Sequence, residues 1–387
     1  MFSGQLPFRF VPCNLKNLCY NGVIILGGAT MRIDQLDENL RIDTEITEPD
    51  LVWMDALRAP FALYGVFYDE EKGCYLRMPD AVAKTVSPGV TELNHHTAGG
   101  RIRFRTDSSC IAIRAEMENN LLMSHITLIG QSGFDLYHRT PEGEDLFLQS
   151  FRPPMGMKTG FSSLVKTKGG LRDYTINFPM YDGVKRLYIA LKKGSILEAP
   201  TPYQFSLPVV FYGSSITQGG CASRPGNSYQ GILSRRLNVD HINLGFSGNG
   251  KAEPEMVRYL AGLEMEAFVC DYDYNAPSVE YLWQTHRPLY EAVRAAHPEL
   301  PIVLITSPTA IKEPELFAER RRAVKTTYDR AVDQGDKNVY FIDGAELFAG
   351  DCWDSCTVDG VHPNDFGFYR MAMRIEKTLK PILDGLK

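Results

Sequence analysis

The segment LPVVFYGSSITQG, residues 207–219, decides how the second half of the chain is interpreted. Its beginning is almost entirely apolar, as in a strand that is buried on both faces of a parallel sheet. Glycines and serines follow at once, and the carboxyl ends of such strands are where open α/β sheets bind ligands. The segment therefore predicts a strand, a loop and a helix, with Ser215 at the carboxyl edge of a sheet.

The chain downstream repeats this order of strand, loop and helix. Apolar runs at 241–244, 267–271, 302–306 and 339–342 join 209–212 to predict five parallel strands. Helix caps, one first-turn proline, one proline expected to break or kink its helix and one apolar face mark the helices between them. The residues concerned are Asn227, Ser228, Pro254, Ser278, Pro288, Phe368, Met371, Ile375, Leu379 and Ile382. Five such units predict a flavodoxin-like, doubly wound α/β domain over residues 204–387.

Residues 51–203 show a different pattern of predicted elements. Short β-prone runs, separated by Gly- and Ser-containing turns, occur at 101–106, 110–114, 126–129, 174–178 and 186–191. Many short strands with this punctuation predict an all-β sandwich domain. Prolines at 200, 202 and 208 mark its boundary with the α/β domain. The N-terminal segment, residues 1–50, has no fold assigned from the sequence.

The composition excludes several classes of partner. The 387 residues carry a net charge of -6, and 44% of them are hydrophobic. No basic excess points to nucleic acid, and no Lys/Arg cluster points to an anionic membrane surface. No apolar run reaches the roughly 20 residues that span a bilayer. We therefore expect a small-molecule partner, with neither nucleic acid nor membrane, and the oligomeric state stays open.

The cysteines bear on location. Eight of them are scattered through the chain, which fits the reducing cytoplasm. Cys352 and Cys356 are four residues apart, but no second Cys/His pair at zinc spacing accompanies them, so a structural zinc is disfavoured. The alternative to a cytoplasmic location is export, because the apolar run 23–29 could belong to a weak signal peptide within residues 1–30. Met31 is an alternative start.

Three residues carry the predicted chemistry. A serine hydroxyl such as that of Ser215 becomes a nucleophile only when a base takes its proton. His362 is the candidate base, and Asp359, three residues earlier, is the candidate that orients its imidazole. The alternatives are a helix-capping serine, with Ser214 as a competing nucleophile, and a surface histidine beside a loop aspartate. A metal site on Asp359 and His362 lacks convincing further ligands.

Two further loops offer donors for a developing oxyanion. Gly248 follows the second predicted strand, and a glycine lets backbone N–H groups approach a ligand closely. Asn275 follows the third strand, and its side-chain amide is a possible donor beside the N–H of Ser215. The alternative for both residues is an ordinary turn position.

Taken together, these residues resemble the SGNH hydrolase superfamily, also called GDSL esterases. Its four blocks correspond to residues 213–217, Gly248, Asn275 and 359–362, in the family's order. Two positions depart from the usual pattern: Ser214 stands where the family has Asp, and Asp273 stands where it has Gly in the Asn275 loop. The motif Gly-Phe-Asp-Leu-Tyr at 133–137 is similar to that of a bacterial subgroup with an N-terminal GxDLY domain.

The resemblance implies a fold and an activity. It implies a jelly-roll-like sandwich before the hydrolase domain, and hydrolysis of short-chain esters, commonly acetyl groups on sugars, without a cofactor or a metal. Arg224 and Tyr137 are then candidate sugar contacts, and the alternatives are a surface arginine and a core tyrosine. A lipase, thioesterase or arylesterase of the same fold remains an alternative, as does a carbohydrate-binding protein whose active site has decayed.

Overall fold

The computed structural model describes residues 23–26, 29–32, 37, 45–118 and 122–386. Contacts divide the chain into two units, residues 1–43 and 44–387. In the first unit, β1 (Val23–Leu26) pairs antiparallel with β2 (Ala29–Arg32). The rest of the possible signal peptide lies outside the described residues. Within the described part of the chain, no helix is long and apolar enough to cross a membrane.

The first part of the second unit consists mainly of antiparallel strands. Its elements are β3 (Leu51–Asp55), β4 (Ala62–Tyr64), β5 (Phe67–Asp69), β6 (Cys74–Leu76), α1 (Asp80–Val86), α2 (Pro88–Asn94), β7 (Arg101–Thr106), β8 (Cys110–Met117), α3 (Leu128–Ser132), β9 (Phe134–Arg139), β10 (Asp145–Phe151), β11 (Gly160–Lys166), β12 (Arg172–Asn177), β13 (Val184–Lys192) and β14 (Leu197–Glu198). One sheet has the order β10-β9-β12-β7-β14, with β4 also paired to β7, and the other has the order β11-β8-β13-β3. Inward-facing side chains of both sheets share one core, which makes this part a β-sandwich.

The remainder is an α/β domain. Its elements are β15 (Val209–Gly213), α4 (Ser215–Gln218), α5 (Tyr229–Leu237), β16 (His241–Gly245), α6 (Pro254–Ala261), β17 (Ala267–Asp271), α7 (Val279–Ala296), β18 (Ile302–Ile305), α8 (Pro314–Asp333), β19 (Val339–Ile342), α9 (Gly344–Leu347) and α10 (Asp365–Gly385). The five strands are parallel, in the order β16-β15-β17-β18-β19. This strand order is that of a flavodoxin-like domain, as predicted for the second half of the chain.

The alternation of side chains along β15 explains why helices cover both faces of the sheet. Val209 and Phe211 join the core beneath α5 and α10, whereas Val210 and Tyr212 join the core beneath α6, α7 and α8. All five residues of the strand are buried. A strand buried on both faces has no polar side to expose, so the chain has to place a helix against each face.

One predicted strand and one predicted helix break do not occur in the described residues. Residues 126–129 do not form a strand: Thr127 accepts a hydrogen bond from the backbone N–H of Gly130 and caps helix α3. A short apolar run fits a buried strand and a buried helix equally well, so its pattern could not decide. Of the two outcomes predicted at Pro288, a break or a kink, the break does not occur, since α7 continues through Pro288 and buries Leu289 and Val293. That burial offsets the hydrogen bond that the proline cannot donate.

Strand order determines where a site can form. β15 and β17 are neighbours in the sheet, yet the helices that follow them, α5 and α7, lie on opposite faces. The crevice at such a reversal opens at the carboxyl ends of the strands. Ser215 lies two residues after the end of β15, and Asn275 lies four residues after the end of β17. The fold thus directs both segments to one edge of the sheet.

Candidate active site

Ser215 is held by the turn that joins β15 to α4. Ser214 is the N-cap of this short helix, and its hydroxyl accepts a hydrogen bond from the N–H of Ile216 at 3.1 Å. Ser214 is therefore engaged by the backbone, whereas the side chain of Ser215 is free to face the sheet edge. A Cβ at Gly213 would lie 1.7 Å from an Asp271 oxygen, so only glycine fits immediately before the two serines.

An imidazole and a carboxylate complete the constellation around Ser215. His362 Nε2 lies 2.9 Å from Ser215 Oγ, and His362 Nδ1 lies 2.7 Å from Asp359 Oδ2. The three side chains thus form a continuous hydrogen-bonded chain. The 2.9 Å contact has the length required for proton transfer from a hydroxyl to a positioned base. The 2.7 Å contact has the length with which a carboxylate orients an imidazole.

The loop before α10 keeps Asp359 ionised. Burial alone would raise the pKa of this carboxyl, but hydrogen bonds from the His362 side chain and from the backbone N–H groups of His362 and Val361 outweigh it and lower the pKa to about 2. The two backbone N–H groups are 2.8 and 3.0 Å from Asp359 Oδ1. The aspartate therefore faces Nδ1 as a fixed negative charge at neutral pH.

The loop after β16 lies against the segment that carries the serine. The N–H of Phe246 donates to the carbonyl oxygen of Gly213 at 3.0 Å, and the N–H of Ser247 donates to Gln218 Oε1 at 3.0 Å. Gly248, at the tip of this loop, is exposed and has a φ of 68°, in the left-handed region that glycine tolerates. The loop thus brings the Gly248 backbone to the same edge as Ser215.

Asn275 contacts that same loop. Its Nδ2 donates to the carbonyl oxygen of Phe246 at 3.0 Å, and a primary amide carries a second N–H that this bond does not use. The departure from the family pattern at Asp273 has a structural function. Its carboxylate accepts the N–H of Ser307 at 3.0 Å, and Arg320 donates to its backbone oxygen, which fixes the turn that carries Asn275.

A buried carboxyl that the sequence analysis did not identify as part of the site holds helices α4 and α5 to the end of β17. Asp271, the last residue of β17, accepts hydrogen bonds from the hydroxyl groups of Thr217 in α4 and Tyr229 in α5. Burial raises its pKa to about 7, although both hydrogen bonds act in the opposite direction. An aspartate at the end of an apolar run was visible in the sequence, but its partners on two other elements were not.

The sandwich also reaches the serine segment. Gln218 Nε2 donates to the carbonyl oxygen of Met180 at 3.1 Å and lies 3.2 Å from His96 Nδ1. The hydroxyl of Tyr181 donates to the backbone oxygen of Ser215 at 3.3 Å. Burial is the main reason that the pKa of His96 falls to about 3, so this histidine is neutral. Hydrogen bonds from the sandwich, as well as contacts within the α/β domain, therefore hold helix α4 in place.

Arg224 and Tyr137, the predicted sugar contacts, contact each other. Arg224 donates to the Tyr137 hydroxyl and to Asp135 Oδ2, and its guanidinium lies 3.8 Å from the ring centre of Phe147. Tyr137 is only 2% exposed, which leaves no surface for a sugar. Tyr137 is thus part of the contact between the sandwich and the α/β domain, and not of a substrate pocket.

Asp135 of the GxDLY motif is the centre of that contact. It is fully buried, and it accepts hydrogen bonds from Asn177 at 2.7 Å and from the N–H of Gly226 at 2.8 Å, in addition to its pair with Arg224. A Cβ at Gly226 would lie 2.5 Å from the Tyr137 ring. The motif therefore joins the sandwich to the segment that precedes α5.

Two groups of side chains in the described residues could hold a metal ion. They are Cys74, His95 and Glu118 in the sandwich, and His125, Cys221 and His362 beside the serine. In the first group His95 already bonds to Cys74 and Glu118, which together raise its pKa to about 10. In the second, burial raises the pKa of Cys221 to about 12, so the thiol is not a nucleophile at neutral pH.

Comparisons with known proteins agree with this architecture. The model of the GDSL-like lipase/acylhydrolase family matches residues 206–380, and that of the GxDLY N-terminus of SGNH hydrolase-type esterases matches residues 51–197. No curated protein matches the chain.

Solved structures resemble most of the chain. A GDSL-like lipase from Bacteroides ovatus ATCC 8483 is 29% identical, with a TM-score of 0.77 over 86% of this chain and 98% of its own. The salicylyl-acyltransferase SsfX3 from a tetracycline biosynthetic pathway is 19% identical, with a TM-score of 0.71 over 87% and 98%. A family two carbohydrate esterase from Clostridium thermocellum, in complex with cellohexaose, is 17% identical, with a TM-score of 0.53 over 74% and 93%. The chain belongs to the SGNH (GDSL) hydrolase superfamily, in the group with a GxDLY N-terminal domain, and it is a carboxylic ester hydrolase.

Proposed function

We propose that the protein is a serine esterase that removes short acyl groups, acetyl foremost, from carbohydrates. Ser215 is the nucleophile, His362 the general base and Asp359 the residue that orients the imidazole. The observation that carries the proposal is the pair of contacts on His362, 2.9 Å to Ser215 Oγ and 2.7 Å to Asp359 Oδ2.

The reaction follows from these contacts. Ser215 Oγ attacks the ester carbonyl carbon as its proton passes to His362 Nε2, and the negative charge of Asp359 stabilises the imidazolium. The tetrahedral intermediate expels the sugar alcohol, which takes the proton back from Nε2. Water then attacks the acyl-enzyme with His362 again as base, and the carboxylic acid leaves as Ser215 regains its proton.

Three donors serve the oxyanion of both tetrahedral intermediates. They are the N–H of Ser215, the N–H of Gly248 and the free N–H of the Asn275 amide. The supporting observation is that the Gly248 loop is bonded both to Gly213 and to Asn275. Donors held in this way need no rearrangement when charge develops, and removing one such donor from a serine hydrolase costs about 10²–10³ in rate.

Acetyl, as the acyl group, is supported by the structural likeness to an acetyl xylan esterase from Butyrivibrio proteoclasticus, with a TM-score of 0.54. The carbohydrate half of the proposal rests on the structural likeness to carbohydrate esterases. The alternative is a lipase, thioesterase or arylesterase of the same fold.

The test uses esters of increasing chain length and acetylated oligosaccharides. We expect wild-type protein to prefer p-nitrophenyl acetate to the octanoate and to release acetate from the sugar. We expect Ser215→Ala to lose about a thousandfold or more in kcat. Retained activity in Ser215→Ala would overturn the assigned nucleophile. A preference for octanoate would replace the short-acyl proposal by the lipase alternative.

The free cysteines bear on where the enzyme is located. The six cysteines that the structure describes are all free thiols, which supports a reducing compartment, and we therefore propose a cytoplasmic enzyme. Fractionation of the source cells with an antibody to the chain tests it. Recovery outside the cytoplasm would favour the export alternative.

A further inference from the structure

Two metal-binding side chains flank His362 and have no part in the proposed reaction. His125 comes from the loop before α3 of the sandwich, and Cys221 comes from the segment just after α4. Ligand atoms of His125, Cys221 and His362 all lie within 4.8 Å of one another. The rings of His125 and His362 have their centres 5.7 Å apart. Imidazole and thiolate are the ligands that Zn²⁺ prefers.

The three segments are already tied together. Thr127, two residues after His125, donates its hydroxyl to the carbonyl oxygen of Ser223 at 2.6 Å. Ser223, two residues after Cys221, donates its backbone N–H to Asp365 Oδ1 at 2.8 Å, and its hydroxyl bonds to the same carboxylate. Asp365 begins α10, three residues after His362. Little rearrangement is therefore needed to bring the three ligand atoms within bonding distance of one ion.

The contact with Asp359 also orients the His362 ring so that it can bind a cation. A metal-binding histidine typically donates its second ring N–H to a carboxylate, which fixes the tautomer and the orientation of the ring. Here Nδ1 is 2.7 Å from Asp359, and Nε2 is left to face Ser215. The lone pair of Nε2 that would accept the serine proton is the one that would bind a cation, so the two uses exclude each other.

Cys221 occupies a conformation that a side chain rarely adopts. Its φ is 74°, in the left-handed region, directly after Gly219 and Gly220. Few non-glycine residues adopt this region, because the side chain then crowds the backbone. This backbone conformation holds the thiol, which is only 5% exposed, beside the triad.

We propose that His362 Nε2, His125 and Cys221 form a binding site for a borderline-soft divalent cation, with Zn²⁺ as the type. On binding, the Cys221 S–H bond breaks, its proton passes to the solvent and the sulfur lone pair binds the metal. A water molecule or Ser215 Oγ takes the fourth position of the tetrahedron. The cation removes the base from Ser215, so it inhibits the esterase reversibly. The inhibition rests on the proposed function, but the binding does not.

Cobalt tests the binding without any assay of activity. Co²⁺ added to the full chain should give the near-ultraviolet absorption of a thiolate-cobalt bond, at one ion per chain. The band should persist in Ser215→Ala and disappear in Cys221→Ser. The matched control is Cys352→Ser, which removes an exposed thiol and should leave the band intact. No band in wild type, or a band that Cys221→Ser leaves at full intensity, overturns the site.

Inhibition is measured with ZnCl₂ and p-nitrophenyl acetate. We expect His125→Gln and Cys221→Ser to keep the basal rate and to raise the Zn²⁺ concentration for half-inhibition at least about tenfold. EDTA should restore the wild-type rate. Equal Zn²⁺ sensitivity in wild type and both variants contradicts the proposal. If the esterase proposal itself fails, turnover is absent from the start while the cobalt band still decides whether the site exists.

Discussion

The hydroxyl of Tyr181, in the sandwich, donates a hydrogen bond to the backbone carbonyl oxygen of Ser215, in the α/β domain, across 3.3 Å. Tyr181 is buried, as is its bonding partner. The sandwich therefore takes part in holding the turn that carries the proposed nucleophile. A domain that only recruited substrate would not need this contact.

Tyr181→Phe removes that bond and keeps the ring. We expect kcat to fall by up to about tenfold with KM nearly unchanged, because the serine is positioned less firmly while substrate contacts remain. The free energy of unfolding should fall by about 0.5–1.5 kcal/mol. Steady-state kinetics and urea unfolding measure both, with Tyr259→Phe on α6 as the control. An unchanged kcat would show that the contact does not position Ser215.

Asp359→Asn keeps the size of the side chain and removes its charge. We expect kcat to fall by about a thousandfold or more, since the amide no longer stabilises the imidazolium or selects its tautomer. In wild type, the pKa of about 2 keeps Asp359 ionised, so its own protonation does not affect the rate between about pH 4 and pH 9. A pH-rate profile of wild type and variant checks both statements. Near-normal kcat in the Asp359→Asn variant would remove Asp359 from the mechanism.

Much of this site could be predicted from the sequence because its residues lie in short, recognisable sequence motifs. The buried run 209–213 and the turn after it predict the position of Ser215, and Asp359 and His362 lie three residues apart in one loop. The contacts of Asp271, Tyr181 and His125 could not be predicted in this way. Each joins elements that are distant in sequence. Packing within the α/β domain brings Thr217 and Tyr229 to Asp271, and packing of the sandwich against that domain places Tyr181 and His125.

Asp271 predicts how stability depends on pH. In the unfolded chain an aspartate releases its proton near pH ~3.9, whereas burial in the fold raises the pKa of Asp271 to about 7. Between these values the folded state binds more protons, so the free energy of unfolding falls as pH rises. This effect is worth at most about 4 kcal/mol.

Asp271→Asn should remove that part of the pH dependence. We expect the free energy of unfolding of the wild type, measured relative to that of the variant, to fall between about pH 5 and about pH 8. Some slope should remain, because burial also raises the pKa of Asp273, to about 6. Urea unfolding at several pH values is the measurement. Equal slopes in wild type and variant would mean that Asp271 is ionised in the fold.

Asp135→Ala tests the contact between sandwich and α/β domain. The substitution leaves Arg224 without its carboxylate, and breaking a buried ion pair costs about 3–5 kcal/mol. Arg105→Met is the control, because it breaks an exposed pair with Glu198 that is worth at most about 1 kcal/mol. Thermal unfolding compares the two. Similar losses in both variants would contradict a central structural function for the GxDLY aspartate.

Labelling with a fluorophosphonate, followed by peptide mass mapping, tests the central claim most directly. The reagent phosphonylates a serine whose proton a neighbouring base removes, and fluoride leaves. We predict one adduct, on Ser215, in wild type and in Ser214→Ala, and no adduct in Ser215→Ala or His362→Ala. An adduct on Ser214, or an unlabelled wild-type protein, would contradict the assignment of Ser215 and His362 as nucleophile and base.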